Sequence, residues 1–130
     1  MEFLLILHSI VRWLIVIVGI IALVKFAIGL VQKSAFGKMD RGLSSGFSGL
    51  LDLQLTLGLL YFLITGFGGI GFPPYRIEHA VTMFIAVGVA HAPSMFKKAG
   101  NKYVIALGAV VGALVLVFIG VARLPGGWSR

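Results

Sequence analysis

The 130-residue sequence contains no cysteine and few charged residues. The lack of cysteine excludes disulfides, thiolate metal sites and covalently attached haem. Charged residues make up 12% of the chain, whereas about 25% is usual for a soluble domain. Because 59% of the residues are hydrophobic and the mean hydropathy is +1.07, the chain needs apolar surroundings. The composition therefore predicts a membrane protein.

Several functional patterns are also missing. The sequence has no His-x-x-Glu-His motif and no Ser, His and Asp at a common membrane depth, which argues against hydrolytic chemistry. The net charge of +7 comes from short basic clusters between apolar runs, without interleaved aromatic residues, which argues against nucleic-acid binding. The start, Met1-Glu2-Phe3, lacks the basic region of a cleaved signal peptide, so the first apolar run is expected to remain as a helix.

Four apolar runs are long enough to suggest membrane-spanning helices, since a bilayer core needs about 20 residues. The predicted helices cover residues 3–31, 46–67, 76–92 and 103–123. Glycine and proline interrupt the chain between and after them, at 66–75, at Pro93 and at 125–127. Short connections favour antiparallel neighbours. We therefore predict an all-α fold, an integral membrane up-down four-helix bundle that forms a single transmembrane domain over residues 1–130.

The basic residues predict the orientation of this bundle. The first loop contains Lys33, Lys38 and Arg41, and the third contains Lys97, Lys98 and Lys102. The opposite side has only Arg76, Arg123 and Arg130. Because cytoplasmic loops carry an excess of Lys and Arg, loops one and three are expected in the cytoplasm and both termini outside. The natural location is a bacterial inner (plasma) membrane, crossed several times.

The polar residues within the helices fall into two layers when depth is counted at about 1.5 Å per residue. His8, Arg12, Glu78 and His79 belong to the outer half, with His8 and Arg12 one turn apart on the same face. Lys25, Asp52 and His91 belong to the inner half. His79 and His91 are separated by about 18 Å along one helix and are not expected to share a small site.

Structural roles are open for each of these charges. Arg12 and Glu78 are candidates to neutralise each other between helices, and Lys25 to extend its ammonium toward the cytoplasm. Asp52 is a candidate for a buried pair with Lys25 or His91 that fixes helix register. His91 alternatively sits at the interface because it lies just before Pro93.

His8 and His79 favour a functional interpretation. Two imidazoles at one depth on the first and third helices match the way in which b-type haem is held between two helices. Arg12 and Arg76 are the expected partners of the haem carboxylates, and Gly58, Gly66 and Gly88 would leave room for a flat ring. Two alternatives stay open: hydrogen bonding of each histidine to a neighbour, and a zinc site that includes Glu78.

Three stretches resemble a family of small bacterial four-helix integral membrane proteins labelled "cytochrome b-like". They are residues 7–13 (LHSIVRW), 53–62 (LQLTLGLLYF) and 78–83 (EHAVTM). The resemblance covers nearly the whole chain. It implies a haem protein in which the following residues occupy the marked positions of the family: His8, Arg12, Gln54, Glu78, His79, Met83 and His91. Some relatives have histidine where this chain has Asp52. Because this chain has three histidines, a second bis-histidine haem within it is excluded.

The leading hypothesis is thus electron transfer by one haem b near the outer face, held by His8 and His79 as iron ligands. Such a protein is an electron-transfer component rather than a stand-alone enzyme, and no other catalytic residue is predicted. The candidates for a proton path or quinone site are Lys25, Asp52, Gln54, Glu78 and His91. Besides the lipid bilayer, the expected partners are other membrane subunits or further copies of the chain.

The alternative is a non-catalytic accessory or assembly subunit of a larger membrane complex, without haem of its own. A small proton-coupled transporter is a third hypothesis. It is disfavoured because residues 1–65 and 66–130 show no inverted repeat.

Overall fold

The computed structural model describes residues 2–33, 35–95 and 102–124, and these residues are almost entirely helical. The helices are α1 (Glu2–Val31), α2 (Lys38–Thr65), α3 (Pro74–Ala90), α4 (Ala92–Met95) and α5 (Lys102–Ala122). A π-helical turn, Gly66–Ile70, extends α2. The described part of the chain contains no strand, which confirms the all-α prediction.

The four long helices form an antiparallel bundle. α1 packs against α2 and α5, and α3 packs against the same two helices, so α1 and α3 face each other across the diagonal. Contacts between neighbours run in opposite chain directions: Lys25 meets Asp40 while Gln54 meets His8, and Arg76 meets Thr65 while His91 meets Asp52. The predicted up-down order of the helices is therefore present in the structure.

Small residues allow the helices to approach closely along the axis. Ala22, Ala86, Ala106 and Ala113 are completely buried, and the largest fully buried side chains are Phe26, Phe47, Ile15 and Val110. Most of the remaining long apolar side chains point outward. Three helices, Phe3–Val31, Lys38–Ile70 and Lys102–Ala122, are long and apolar enough to cross a membrane. α3 is shorter, with 17 residues.

α2 begins at Lys38, earlier than the sequence suggests. The Gly- and Ser-rich stretch before residue 46 has low intrinsic helix propensity, which is why it reads as a linker. Two features compensate in the structure. Asp40 accepts a hydrogen bond from the backbone N–H of Gly37 (2.9 Å), and the residue is only 2% exposed. Tertiary packing of Asp40 thus extends the helix toward the first loop.

The connection between α2 and α3 is held by one buried arginine. Gly69 and Gly71 have positive φ angles of 126° and 79°, which suit glycine. Arg76 donates to the carbonyl of Gly71 (2.6 Å), to the hydroxyl of Thr65 (2.6 Å) and, at longer range, to the carbonyl of Phe62 (3.4 Å). Arg76 therefore satisfies acceptors at the end of α2 and fixes the turn against the start of α3.

Candidate functional site

Two imidazoles meet inside the bundle. His8 of α1 and His79 of α3 have ring centroids 6.4 Å apart, with an angle of 61° between the ring planes. Both side chains are partly buried. Since α1 and α3 are diagonal helices, this pair spans the centre of the bundle rather than a contact between neighbours.

The orientation of His79 is set by the last helix. Its Nδ1 atom lies 3.2 Å from the carbonyl oxygen of Gly120 in α5. When Nδ1 carries the proton and donates it to this carbonyl, Nε2 keeps its lone pair, which is the arrangement seen in metal-binding histidines. A Cβ at Gly120 would lie against the terminal methyl group of Met83, one turn from His79 on α3.

α2 supplies the surroundings of His8. The side-chain amide of Gln54 donates to the backbone carbonyl of His8 (2.8 Å), although that carbonyl lies within a helix. Gln54 is 7% exposed, and its Oε1 atom has no hydrogen-bond partner in the described part of the protein. Gly58 faces the ring, since a Cβ at that position would lie 3.2 Å from Nε2 of His8. A larger residue at position 58 would fill the space next to this nitrogen.

A cavity of about 210 Å³ adjoins both histidines and is partly open to the surface. Its wall is mainly apolar and aromatic, with contributions from α1, α2 and α3. Among the described residues that line it, two are arginines, two are histidines and none is acidic. The polar and aromatic members are His8, Ser9, Arg12, Gln54, Tyr61, Phe62, Tyr75, Arg76 and His79. The site therefore combines an apolar body with positive charge.

Both arginines of the wall are buried. Arg12 is 6% exposed, and its guanidinium carbon lies 5.3 Å from the centroid of the Trp13 ring. Arg76 is 9% exposed, and the partners described above are all uncharged oxygens. Of the glycines predicted to make room for a ring, only Gly58 lies in this wall. The space next to Gly66 is taken by the ring of Phe72, and Gly88 is open to the outside.

Glu78 turns away from the site. It forms an exposed ion pair with Arg123 rather than the proposed pair with Arg12. Adjacent helical residues point about 100° apart, which explains why His79 faces the interior while Glu78 faces outward. In residues 2–33, 35–95 and 102–124 no group of three or more His, Cys, Asp or Glu side chains is placed to hold a metal ion. Glu78 is thus not placed to share a metal ion with His8 or His79.

The inner layer is divided into two separate pairs. Lys25 binds Asp40 in the first turn of α2 (2.8 Å) and not Asp52. Tyr103 of α5 donates to Asp40 (2.7 Å), so this carboxylate joins three helices. The sequence signal for the position of Asp40 is its spacing of three residues from Gly37. A glycine followed at this distance by an acidic residue is typical of the start of a helix.

Asp52 pairs with His91, one of the two partners proposed for it. Nε2 of His91 lies 2.9 Å and 3.1 Å from the two carboxylate oxygens. The pair is half-exposed rather than buried, with side-chain exposures of 51% for Asp52 and 37% for His91. The pair lies on the outside of the bundle, where α2 meets the end of α3.

Comparison of the chain with protein-family models, with curated proteins and with solved structures finds no match. The family resemblance of residues 7–13, 53–62 and 78–83 therefore stays a prediction from those motifs.

Proposed function

We propose that this protein is a membrane-embedded electron-transfer protein that holds one b-type haem between α1 and α3. The observation that carries the proposal is the separation of 6.4 Å between the ring centroids of His8 and His79. An iron bound to one nitrogen of each ring at about 2 Å, the usual distance for a histidine nitrogen on a divalent metal, puts the ring centres roughly 6–6.5 Å apart. The two side chains are thus spaced for one six-coordinate iron.

The surroundings also fit such a group. The hydrogen bond between Nδ1 of His79 and the Gly120 carbonyl leaves Nε2 as the ligand atom. The cavity beside the pair is larger than the engineered cavity of about 150 Å³ that accepts benzene. When bound, haem supplies one-electron redox chemistry.

The charges of the cavity wall support a position for the haem carboxylates. Two buried arginines with no acidic residue in the described lining favour an anionic ligand with an apolar body, which describes a haem with its two carboxylates. Arg12 and Arg76 each bind one carboxylate in this proposal. Gly58 keeps the wall of α2 away from Nε2 of His8, so the ligand nitrogen is not covered by a side chain.

The proposed setting is a bacterial plasma membrane with loops one and three in the cytoplasm. Three helices have the length and composition to cross it, and α3, although shorter, is connected to them on both sides. The basic residues of the first loop support the orientation. The histidine pair then lies in the outer half of the membrane, where electrons pass between a membrane-soluble donor and a partner outside. Association with other membrane subunits belongs to the same proposal.

The absorption spectrum of the detergent-purified protein, oxidised and then reduced with dithionite, tests this proposal. Protein produced with ample haem supply should show a sharp Soret band that shifts on reduction, with resolved α and β bands. His8→Ala and His79→Ala should each lose the six-coordinate spectrum and most of the bound haem. His91→Ala is the matched control, because the third histidine lies outside the cavity wall and should leave the spectrum unchanged.

Two results would contradict the proposal. One is a flat spectrum of well-folded wild-type protein, and the other is an unchanged spectrum and haem content in His8→Ala. Metal analysis of the same samples would then show whether the histidines bind an ion without a macrocycle.

A further inference from the structure

The guanidinium of Arg76 is held by uncharged groups. It donates to two backbone carbonyls and one hydroxyl, as described above. Its central carbon also lies 5.2 Å from the ring centroid of Phe62 and 5.9 Å from that of Tyr61. Arginine stays protonated in proteins, and this residue is 9% exposed. These contacts therefore order a buried positive charge without neutralising it.

Thr65 supplies a side-chain contact to this guanidinium. Its hydroxyl donates a hydrogen bond to the carbonyl of Tyr61, one turn earlier on α2, and accepts one from Arg76 (2.6 Å). Since a hydroxyl has one proton, the bond to Tyr61 leaves its lone pairs for the guanidinium. Thr65 is 7% exposed, so water has little access to replace it. The hydroxyl thus helps to set the direction of the Arg76 side chain.

From these contacts we infer that Thr65 is a positioning residue for the cofactor, because it orients Arg76 toward a haem carboxylate. The inference rests on the proposed function, in which Arg76 binds one of the two carboxylates. Arg76 lines the cavity beside the histidines, whereas Thr65 is not part of that wall and acts through Arg76.

The physical reason is preorganisation. A guanidinium that is already ordered loses little conformational entropy when a carboxylate binds. Partial exclusion of water also strengthens the attraction between the two charges. The hydroxyl of Thr65 favours both effects without touching the ligand, since its hydrogen bond holds the guanidinium in a buried position.

A purely structural role of Thr65 predicts a different result. The hydrogen bond to Arg76 also ties the end of α2 to the start of α3. If this were its whole role, loss of the hydroxyl would weaken the binding of every porphyrin to the same extent. A positioning role predicts weaker binding only of porphyrins whose carboxylates are free to pair with arginine.

The test compares haem b with its dimethyl ester, in which both carboxylates are methylated and uncharged. Each is titrated into the haem-free, full-length protein in detergent, and Kd is obtained from the Soret absorbance. Wild-type protein should bind haem more tightly than the ester. Thr65→Val keeps the shape of the side chain without its hydroxyl and should weaken haem binding about tenfold, as expected for a lost hydrogen bond to a charged group. Binding of the ester should change little.

Two further variants of Thr65 separate the hydroxyl from effects on folding. Thr65→Ser restores the hydroxyl and should recover most of the haem affinity. Thr65→Ala also lacks the hydroxyl and has a higher helix propensity, so it gives the same comparison if Thr65→Val does not fold.

Thr56→Val is the matched control. Thr56 lies on the same helix and likewise donates to the carbonyl four residues earlier, that of Asp52 (3.0 Å), but it is on the exposed side of α2. This variant should bind haem and the ester as wild type does. Arg76→Gln gives the largest effect expected, because it removes the charge itself and should abolish the preference for haem over the ester that Arg76 provides.

The outcomes distinguish the inference from the proposed function. If wild-type protein binds neither haem nor the ester, the proposed function fails and the inference fails with it. If wild-type protein binds haem with a six-coordinate spectrum, two results overturn the inference alone. One is an equal loss of haem and ester binding in Thr65→Val, and the other is unchanged binding of both.

Discussion

At the scale of single residues, glycines decide which side chains meet. Gly120 lets α5 approach α3 so closely that its carbonyl reaches Nδ1 of His79. Gly108 lies on the same helix, and a Cβ added there would meet no atom within 4 Å. It therefore allows no comparable close approach. The two positions therefore form a matched pair within one helix, one at the histidine site and one on the open surface.

Replacement of Gly120 by alanine should disturb the histidine site. The added methyl group collides with Met83 and lies 3.5 Å from Nδ1 of His79, so α5 must shift or Met83 must change rotamer. Because the contact is with the terminal methyl group of a flexible side chain, we expect a cost at the low end of the overpacking range, about 1 kcal/mol. The temperature of thermal unfolding and the haem content should both fall in Gly120→Ala. Both should stay unchanged or rise slightly in Gly108→Ala. Equal behaviour of the two variants would show that the α5 carbonyl does not position His79.

The histidine pair was accessible from sequence because depth along a helix follows directly from residue count. His8 and His79 each lie a few residues inside an apolar run, and the structure brings them together. Gln54, a candidate for the proton path or quinone site, donates to the carbonyl of His8 in the structure. The depth of Gln54 follows from residue numbers. The neighbouring helix that its side chain faces depends on how the helices pack and cannot be counted in this way.

At the scale of elements, the start of α2 determines the charge pairing of the inner layer. Apolar runs predict where helices lie in a membrane, but a Gly- and Ser-rich stretch hides a helix whose stability comes from packing. Residues 38–45 have the composition of a linker, so the sequence does not indicate that Asp40 is a partner of Lys25. The eight added residues, just over two helical turns, place this carboxylate beside α1 and α5, where it binds Lys25 and Tyr103.

Asp40→Asn should therefore destabilise the bundle markedly. It removes the charge that Lys25 and Tyr103 both contact while keeping the size of the side chain. We expect a loss of about 2–3 kcal/mol, below the 3–5 kcal/mol for breaking a fully buried pair, because Lys25 stays 34% exposed. Denaturant unfolding in detergent, followed by circular dichroism, measures the change.

Asp52→Asn is the control for Asp40→Asn, since its ion pair is half-exposed and should contribute less than about 1 kcal/mol. A similar loss in both variants would mean that burial of Asp40 does not determine its contribution.

At the scale of the whole molecule, the lack of cysteine makes the proposed orientation easy to test. Single cysteines are introduced at Ala35, in the first loop, and at Gly68, in the turn after α2, where a Cβ meets no atom within 4 Å. In intact cells a membrane-impermeant maleimide should label Gly68→Cys, whereas Ala35→Cys should react only after permeabilisation. The opposite pattern would place loops one and three outside.

The diagonal position of the histidine pair has a consequence for biogenesis. The chain emerges from the ribosome with His8 in its first helix, His79 in its third and the carbonyl of Gly120 in its last. The first two helices contain one of the two proposed ligands, and a nascent chain without α5 lacks the carbonyl that contacts the other. We therefore expect the proposed haem to bind only after α5 has been inserted. A truncated chain released before α5 would leave the translocon without haem and would be open to proteolysis.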